Sequence, residues 1–242
     1  MRALDALPLA ALLAIAALTP PAALADDSDD DLSPCIAGQL ALEDGETGRA
    51  IELLDTCLDT EELIPQAEIG VYAGLGAAYL TEERYEDALN AYNFAFAIID
   101  TQQARVAEPT LWRNRGIARA ETGHLDGALE DLEQAAIAMP DDVMTQLTLG
   151  IVYQDLGRAT DAVIAYDQVV QLRPEWMGAW INRSSALLDA GMTSAAVNDA
   201  RRAVELAPDD ATTLNMLCWT LIQDGRAATA LPLCEQAVAV EP

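Results

Sequence analysis

The sequence has 242 residues, with 40 acidic side chains, 13 basic ones, a single His and a formal net charge of −27, yet 52% of it is hydrophobic. The apolar fraction excludes a disordered acidic tail, and the charge opposes binding to phosphate backbones or anionic headgroups. Every basic residue is Arg, so the composition also leaves no relay of imidazoles, no His-rich metal site, no Schiff-base lysine and no P-loop lysine.

The first segment reads as an address. Arg2 precedes an apolar run over residues 6–18, and Ala23-Leu24-Ala25 follows it. A basic start, a short apolar stretch and an A-x-A site describe a secretory signal peptide over 1–25, with cleavage expected after Ala25. The run is short for a membrane span. A periplasmic or secreted location follows from this reading. Residues 26–30 form an acidic leader that lacks the spacing of a calcium loop.

From residue 31 onward a 34-residue period organises the chain. Pro140, Pro174, Pro208 and Pro242 keep that step, as do Gly123, Gly157, Gly191 and Gly225, and Ala128, Ala162, Ala196 and Ala230. The period divides the chain into units 31–64, 69–102, 109–142, 143–176, 177–210 and 211–242, with insertions at 65–68 and 103–108. Within each unit the apolar spacing is helical: Leu149, Val152 and Tyr153 share one helix face, and Ala162, Ala165, Tyr166 and Val169 share the next. Gly157 stops the first helix and Pro174 ends the second, while Asp142 and Asp210 stand where they can cap the helix that follows. Gly38, Gly76, Gly116, Gly150, Ser184 and Cys218 hold the eighth position, where small residues let paired helices approach. Each unit is therefore an antiparallel helix hairpin.

The pattern resembles the tetratricopeptide repeat. Unit 109–142 shows Trp112, Gly116, Gly123, Ala128, Ala135 and Pro140; unit 143–176 shows Leu149, Gly150, Tyr153, Gly157, Ala162, Tyr166 and Pro174. Departures gather in the outer units. Pro34 stands where an aromatic belongs, Glu83 replaces Gly, Asp100 replaces Pro, and Pro232 falls inside a second helix whose start it should shift or kink. The resemblance implies an all-α, right-handed α-solenoid of about six tandem repeats. It also implies a scaffold that binds a peptide or protein segment in a concave groove; the leader adds export, and the residues themselves offer no catalytic, metal or cofactor set. Groove positions carried over from the family are Arg113 and Ile117, then Met144, Leu147, Ile151 and Gln154. They continue with Ile181, Ser185 and Leu188, then Asn215, Trp219 and Ile222. Trp219 is the strongest anchor candidate, its alternative being a capping contact under the last helix. The family's Lys-based carboxylate clamp is unmatched, so a neutral to basic, apolar segment is the expected ligand.

Two correlations run inside the units. Arg115 and Arg183 hold the seventh position, and in the same two units the twenty-third position is Asp131 and Asp199. Where the seventh is apolar (Leu75, Leu149, Leu217), so is the twenty-third (Ala91, Ala165, Leu233). Arg115–Asp131 and Arg183–Asp199 are thus expected to be structural ion pairs, because a half-buried guanidinium without its partner is costly. Arg119 replaces an aromatic core position and finds no partner by this rule. Cys35 and Cys57 lie in the first unit, Cys218 and Cys234 in the last, each pair facing across one hairpin. In an exported chain they read as two disulfides, the alternative being four small buried thiols.

Catalytic constellations are missing. His124 falls in a turn, and Gly74-x-Gly76 sits inside a helix rather than after a strand, so it is no nucleotide fingerprint. An adaptor is the first functional reading. Self-assembly through the solenoid ends, with a homo-oligomer formed by the C-terminal helix, is the second. An enzyme comes last.

Overall fold

In the computed structural model the described residues are 32–101 and 108–240. The signal peptide, its cleavage site and the acidic leader of 26–30 lie outside them. Every element among the described residues is an α-helix: α1 Pro34–Glu43, α2 Thr47–Thr60, α3 Pro65–Thr81, α4 Tyr85–Thr101, α5 Pro109–Glu121 and α6 Leu125–Ala138, then α7 Val143–Asp155, α8 Ala159–Leu172, α9 Met177–Asp189, α10 Thr193–Leu206, α11 Ala211–Gln223 and α12 Ala227–Val240. Consecutive odd and even helices pair as hairpins. The chain divides into two compact units, with α1–α6 in one and α7–α12 in the other. None of these helices is long and apolar enough to cross a membrane.

The turn inside each hairpin has one construction. After α7 the amide of Arg158 reaches the Tyr153 carbonyl at 2.7 Å, and that of Gly157 reaches Gln154 at 2.9 Å. This double closure needs a left-handed residue, and Gly157 supplies it with φ 71°. Where the α3–α4 turn carries Glu83 instead, the backbone still takes φ 57°. The turn geometry therefore overrides the side chain's preference. Helix starts are set more variably. Asp142 accepts from the Thr145 amide and Asp210 from the Thr213 amide, both at 2.9 Å. Pro34, Pro65 and Pro109 open α1, α3 and α5, where the missing amide costs nothing. The insertion 65–68 is helical and forms the first turn of α3.

Close approach explains the small residues at the eighth position. A Cβ on Gly150 would stand 2.4 Å from the Tyr166 ring, and one on Gly116 2.7 Å from Leu132. Tyr166 and Leu132 are themselves almost wholly buried. Each large side chain of the second helix thus fills the space that the first helix leaves open. In the α1–α6 unit the core runs from Leu54 and Leu75 through Tyr92 and Phe96 to Leu111 and Ile117. In the α7–α12 unit, Val197 and Ala200 of α10 pack with Leu217 and Leu221 of α11.

Two hairpins are cross-linked. Cys35 in α1 bonds Cys57 in α2, with Cα atoms 5.0 Å apart, and Cys218 in α11 bonds Cys234 in α12, at 5.4 Å. Loops this short stabilise by about 3 kcal/mol each through restricted unfolded chains. Glu61 brings a carboxylate oxygen within 4.8 Å of the first pair of sulfurs. The sulfurs are bonded to each other, which removes the thiolates a metal would need.

Pro232 corrects one expectation. α12 begins at Ala227, the same register position at which α6, α8 and α10 begin, so its start is not shifted. The proline sits in the second turn, and the amide it lacks would have met only the carbonyl of Ala228.

Candidate partner-binding surface

Two ionic clusters anchor the first helices. Arg115 of α5 meets Asp131 of α6 through a fork, Nε to Oδ2 and a terminal nitrogen to Oδ1, both at 2.8 Å. Its guanidinium carbon also lies 3.4 Å from the centre of the Phe96 ring of α4 and 5.3 Å from that of Trp112. Arg183 of α9 makes the same fork to Asp199 of α10, at 2.7 and 2.9 Å. Both forks satisfy two carboxylate oxygens at once, which is the strongest geometry an Arg can offer.

Each cluster holds a third member that the within-unit rule misses. Arg119, for which that rule gave no partner, donates to Asp131 Oδ2 at 2.8 Å and to the Gly127 carbonyl at 3.0 Å. It lies one helical turn beyond Arg115, so both reach the same carboxylate. Burial holds its guanidinium below the usual Arg range, with the Asp131 carboxylate acting against that shift. Arg183 has a second acid, Asp167 of α8, at 2.6 Å. Asp167 belongs to the preceding hairpin, where a rule confined to one unit does not look. Arg183 is held above the usual range, first by its bond to Asp199.

The groove positions separate by exposure. Arg113, Ile117, Met144, Leu147 and Ile181 are buried. Arg113 donates through Nε to Asn114 at 3.0 Å, beside the fully buried Tyr92. Ile151, Gln154, Ser185 and Leu188 are half-buried, while Asn215, Trp219 and Ile222 are exposed. Trp219 keeps 54% of its surface open. Gln154 is fully engaged: it accepts from the Tyr166 hydroxyl at 2.9 Å and donates to Asp189 at 2.7 Å and to Ser185 at 3.3 Å. Burial pushes the Tyr166 phenol up, which keeps it neutral and donating. Gln154 therefore ties α7, α8 and α9 together.

Acidic groups crowd the turns of the α1–α6 unit. Glu83, Glu86, Asp87 and Glu121, with Arg84, Tyr85 and Thr122, line an open recess of about 490 Å³. Asp87 pairs with Arg84 at 2.7 Å. His124 is exposed at the tip of a turn, with Nδ1 2.9 Å from the Thr122 hydroxyl.

Comparison with known proteins bears on this geometry. A tetratricopeptide-repeat family model matches residues 113–175, 147–211 and 181–241. Among curated proteins the chain is 34% identical over 136 residues to the cytochrome c-type biogenesis protein CycH of Rhizobium meliloti, covering 53% of this chain and 31% of that one. It is 31% identical over 99 residues to protein FlbA of Caulobacter vibrioides, covering 40% and 17%. The chain thus spans less than a third of the length of either relative. Among solved structures, MamA from Desulfovibrio magneticus RS-1 superposes with a TM-score of 0.64 at 17% identity, covering 72% of this chain and 95% of that one. YrrB, described as a TPR protein with an unusual peptide-binding site, superposes with a TM-score of 0.64 at 18% identity, covering 78% and 92%. At these identities the likeness is one of fold.

Proposed function

The chain belongs to the tetratricopeptide-repeat family, and on that premise we propose that it is an exported protein-interaction scaffold rather than an enzyme. Its ligand is an apolar, neutral to basic peptide segment lying along the first helices of the α7–α12 unit. The observation that carries this reading is Trp219, exposed on α11 at the register position that Ile151 and Ser185 hold on α7 and α9. Ile222 and Leu188 stand one turn further along the same faces. A large aromatic held open on a rigid helix is the residue type that dominates binding energy at interfaces. Sequence and charge narrow the ligand: the groove has no Lys with which to hold a terminal carboxylate, and a net charge of −27 disfavours acidic segments. YrrB, described as having a peptide-binding site, supports the class of ligand.

The two disulfides support an oxidising compartment. The mature chain then begins at Asp26, which intact mass of the protein recovered from the periplasm or medium would verify.

Selection of a displayed peptide library on the full chain tests the groove. Apolar sequences free of acids should be enriched, and Trp219→Ala should weaken them by about tenfold or more, as truncation of an interface Trp does. Enrichment of acidic sequences, or equal binding by the Trp219→Ala protein, would refute the proposal.

A further inference from the structure

The twenty-sixth register position changes character in one hairpin. Five units place Thr56, Gln134, Gln168, Arg202 and Gln236 there, and the α3–α4 hairpin places Phe94. Phe94 keeps 57% of its surface open. Its ring stacks on Tyr72 of α3, with centroids 5.2 Å apart and planes 23° from parallel, so one ring face is covered and the rest is open. Tyr72 holds the fourth position, as Trp112 and Trp180 do in their own units. An arginine three residues on lies over each of those rings, Arg115 at 5.3 Å and Arg183 at 5.0 Å. In α3 that residue is Leu75. Among the described residues no guanidinium lies over Tyr72 or Phe94.

The same hairpin supplies a carboxylate. α3 and α4 each run for 17 residues, against 10 to 14 in α1, α2 and α5. The added turns, one at the start of α3 and one at the end of α4, lie at the same end of the antiparallel pair. Glu68 comes from the first of them. It stands one turn before Tyr72, the direction in which helical side chains lean. Burial raises the Tyr72 phenol, and the Glu68 charge adds to that shift. Glu68 forms no ion pair among the described residues. Ile98, half-buried, stands one turn beyond Phe94.

We infer that the open face of Phe94, with Glu68 and Ile98, is a docking site for an arginine-bearing segment of a partner protein. The guanidinium lies on the Phe94 ring and pairs with Glu68, and an aliphatic neighbour covers Ile98. A purely apolar occupant would bury the Glu68 carboxylate without a partner. A cation removes that cost, and arginine stacks and pairs at once where lysine offers a point charge. The chain uses the same combination internally: Arg115 lies 3.4 Å from the centre of the Phe96 ring and pairs with Asp131. A second copy as occupant is opposed by the net charge of −27. The site lies wholly on the α3–α4 hairpin and shares no residue with the groove, so it stands or falls apart from that reading.

The test uses the full, disulfide-bonded chain carrying Trp219→Ala, which removes the groove's anchor, and a displayed random peptide library as probe. Sequences retained by this protein, and not by the same protein with Phe94→Gln added, should carry Arg beside Leu, Ile or Val. Gln is the residue that three other units hold at this position, so the substitution suits the helix. The most enriched sequence, synthesised with blocked ends, should bind saturably by anisotropy and lose about tenfold or more with Phe94→Gln, as removal of an interface aromatic does. Glu68→Gln should weaken it several-fold. Replacing the peptide's Arg by citrulline keeps the plane and drops the charge; it should weaken binding and abolish the effect of Glu68→Gln. Circular dichroism confirms that each variant remains folded. The inference is overturned if no sequence separates the two proteins, if those that do lack Arg, if Glu68→Gln weakens the citrulline peptide as much as the arginine one, or if Phe94→Gln dissolves a concentration-dependent dimer.

Discussion

Hairpins α5–α6 and α9–α10 carry the same signature, Trp-x-x-Arg on the first helix and Asp at one register position on the second, yet they balance charge in opposite directions. In α5–α6 one carboxylate, Asp131, serves two guanidiniums, Arg115 and Arg119. In α9–α10 one guanidinium, Arg183, is served by two carboxylates, Asp199 and Asp167. The side chain of Asp131 is 1% exposed, whereas that of Asp167 is 43% exposed. The shifts of the arginines follow this arrangement: Arg119 is held low by burial, and Arg183 is held high by hydrogen bonding to Asp199. An Arg–Asp motif in a repeat therefore fixes where a buried pair forms. What the neighbouring residues add decides whether the site is short of anions or of cations.

That difference sets the size of each expected loss. Asp131→Asn should cost most, about 3–5 kcal/mol, because it strands a guanidinium stacked on Phe96 and a second one beside it. Chemical unfolding should show this as a lower midpoint with an unchanged slope. A loss under about 1 kcal/mol would mean that ring stacking alone holds Arg115. Asp199→Asn should cost less, about 2–3 kcal/mol, since Arg183 keeps Asp167 and the new amide can still accept one bond. If Asp199→Asn proved the more damaging of the two, the contrast between the hairpins would collapse.

Arg119→Met should cost only about 1 kcal/mol, because the Arg115–Asp131 fork survives and the Met stem refills the space. The informative measurement is the double variant. With Arg119 already gone, Asp131→Asn strands one cation instead of two, so its cost should fall by about 1 kcal/mol or more. Strict additivity would show that the two arginines do not share the carboxylate energetically.

The same comparison shows what the sequence can reveal. The hairpin plan is legible because period, turn glycines and alternating helix faces repeat through the chain. Asp131 and Asp199 are legible because antiparallel helices pair positions of nearly constant sum within one unit. The cysteine pairs follow by the same reasoning. Arg119 and Asp167 are not visible to that rule for two physical reasons. Arg119 reaches its partner along the helix axis, one turn off the paired position, because its side chain is long enough to do so. Asp167 acts across hairpins, which makes it a contact between units and not within one. Exposure along the groove was equally hidden. Met144 and Trp219 both follow the family's groove pattern, but one is buried and the other open, and burial depends on what packs above a helix face. Glu83 shows the converse, a residue that breaks the pattern while its backbone keeps it.

The smallest expected effect is the most diagnostic. Asp167→Asn removes an acid that is half open to water, so the exposed half of the Arg183 clamp should contribute about 0.5 kcal/mol or less. Its contribution should also fade in molar salt, because a partly hydrated pair is screened within a few ångströms. The Arg183–Asp199 fork, at 16% and 9% side-chain exposure, should resist that screening. Measuring Asp167→Asn and Asp199→Asn at low and high salt therefore separates two bonds of nearly equal length to the same guanidinium. Equal salt sensitivity would mean that distance, and not burial, determines what each aspartate contributes. Unequal sensitivity would place the tie between hairpins on its solvent side, where α8 and α9 can separate without breaking the pair that holds α9 to α10.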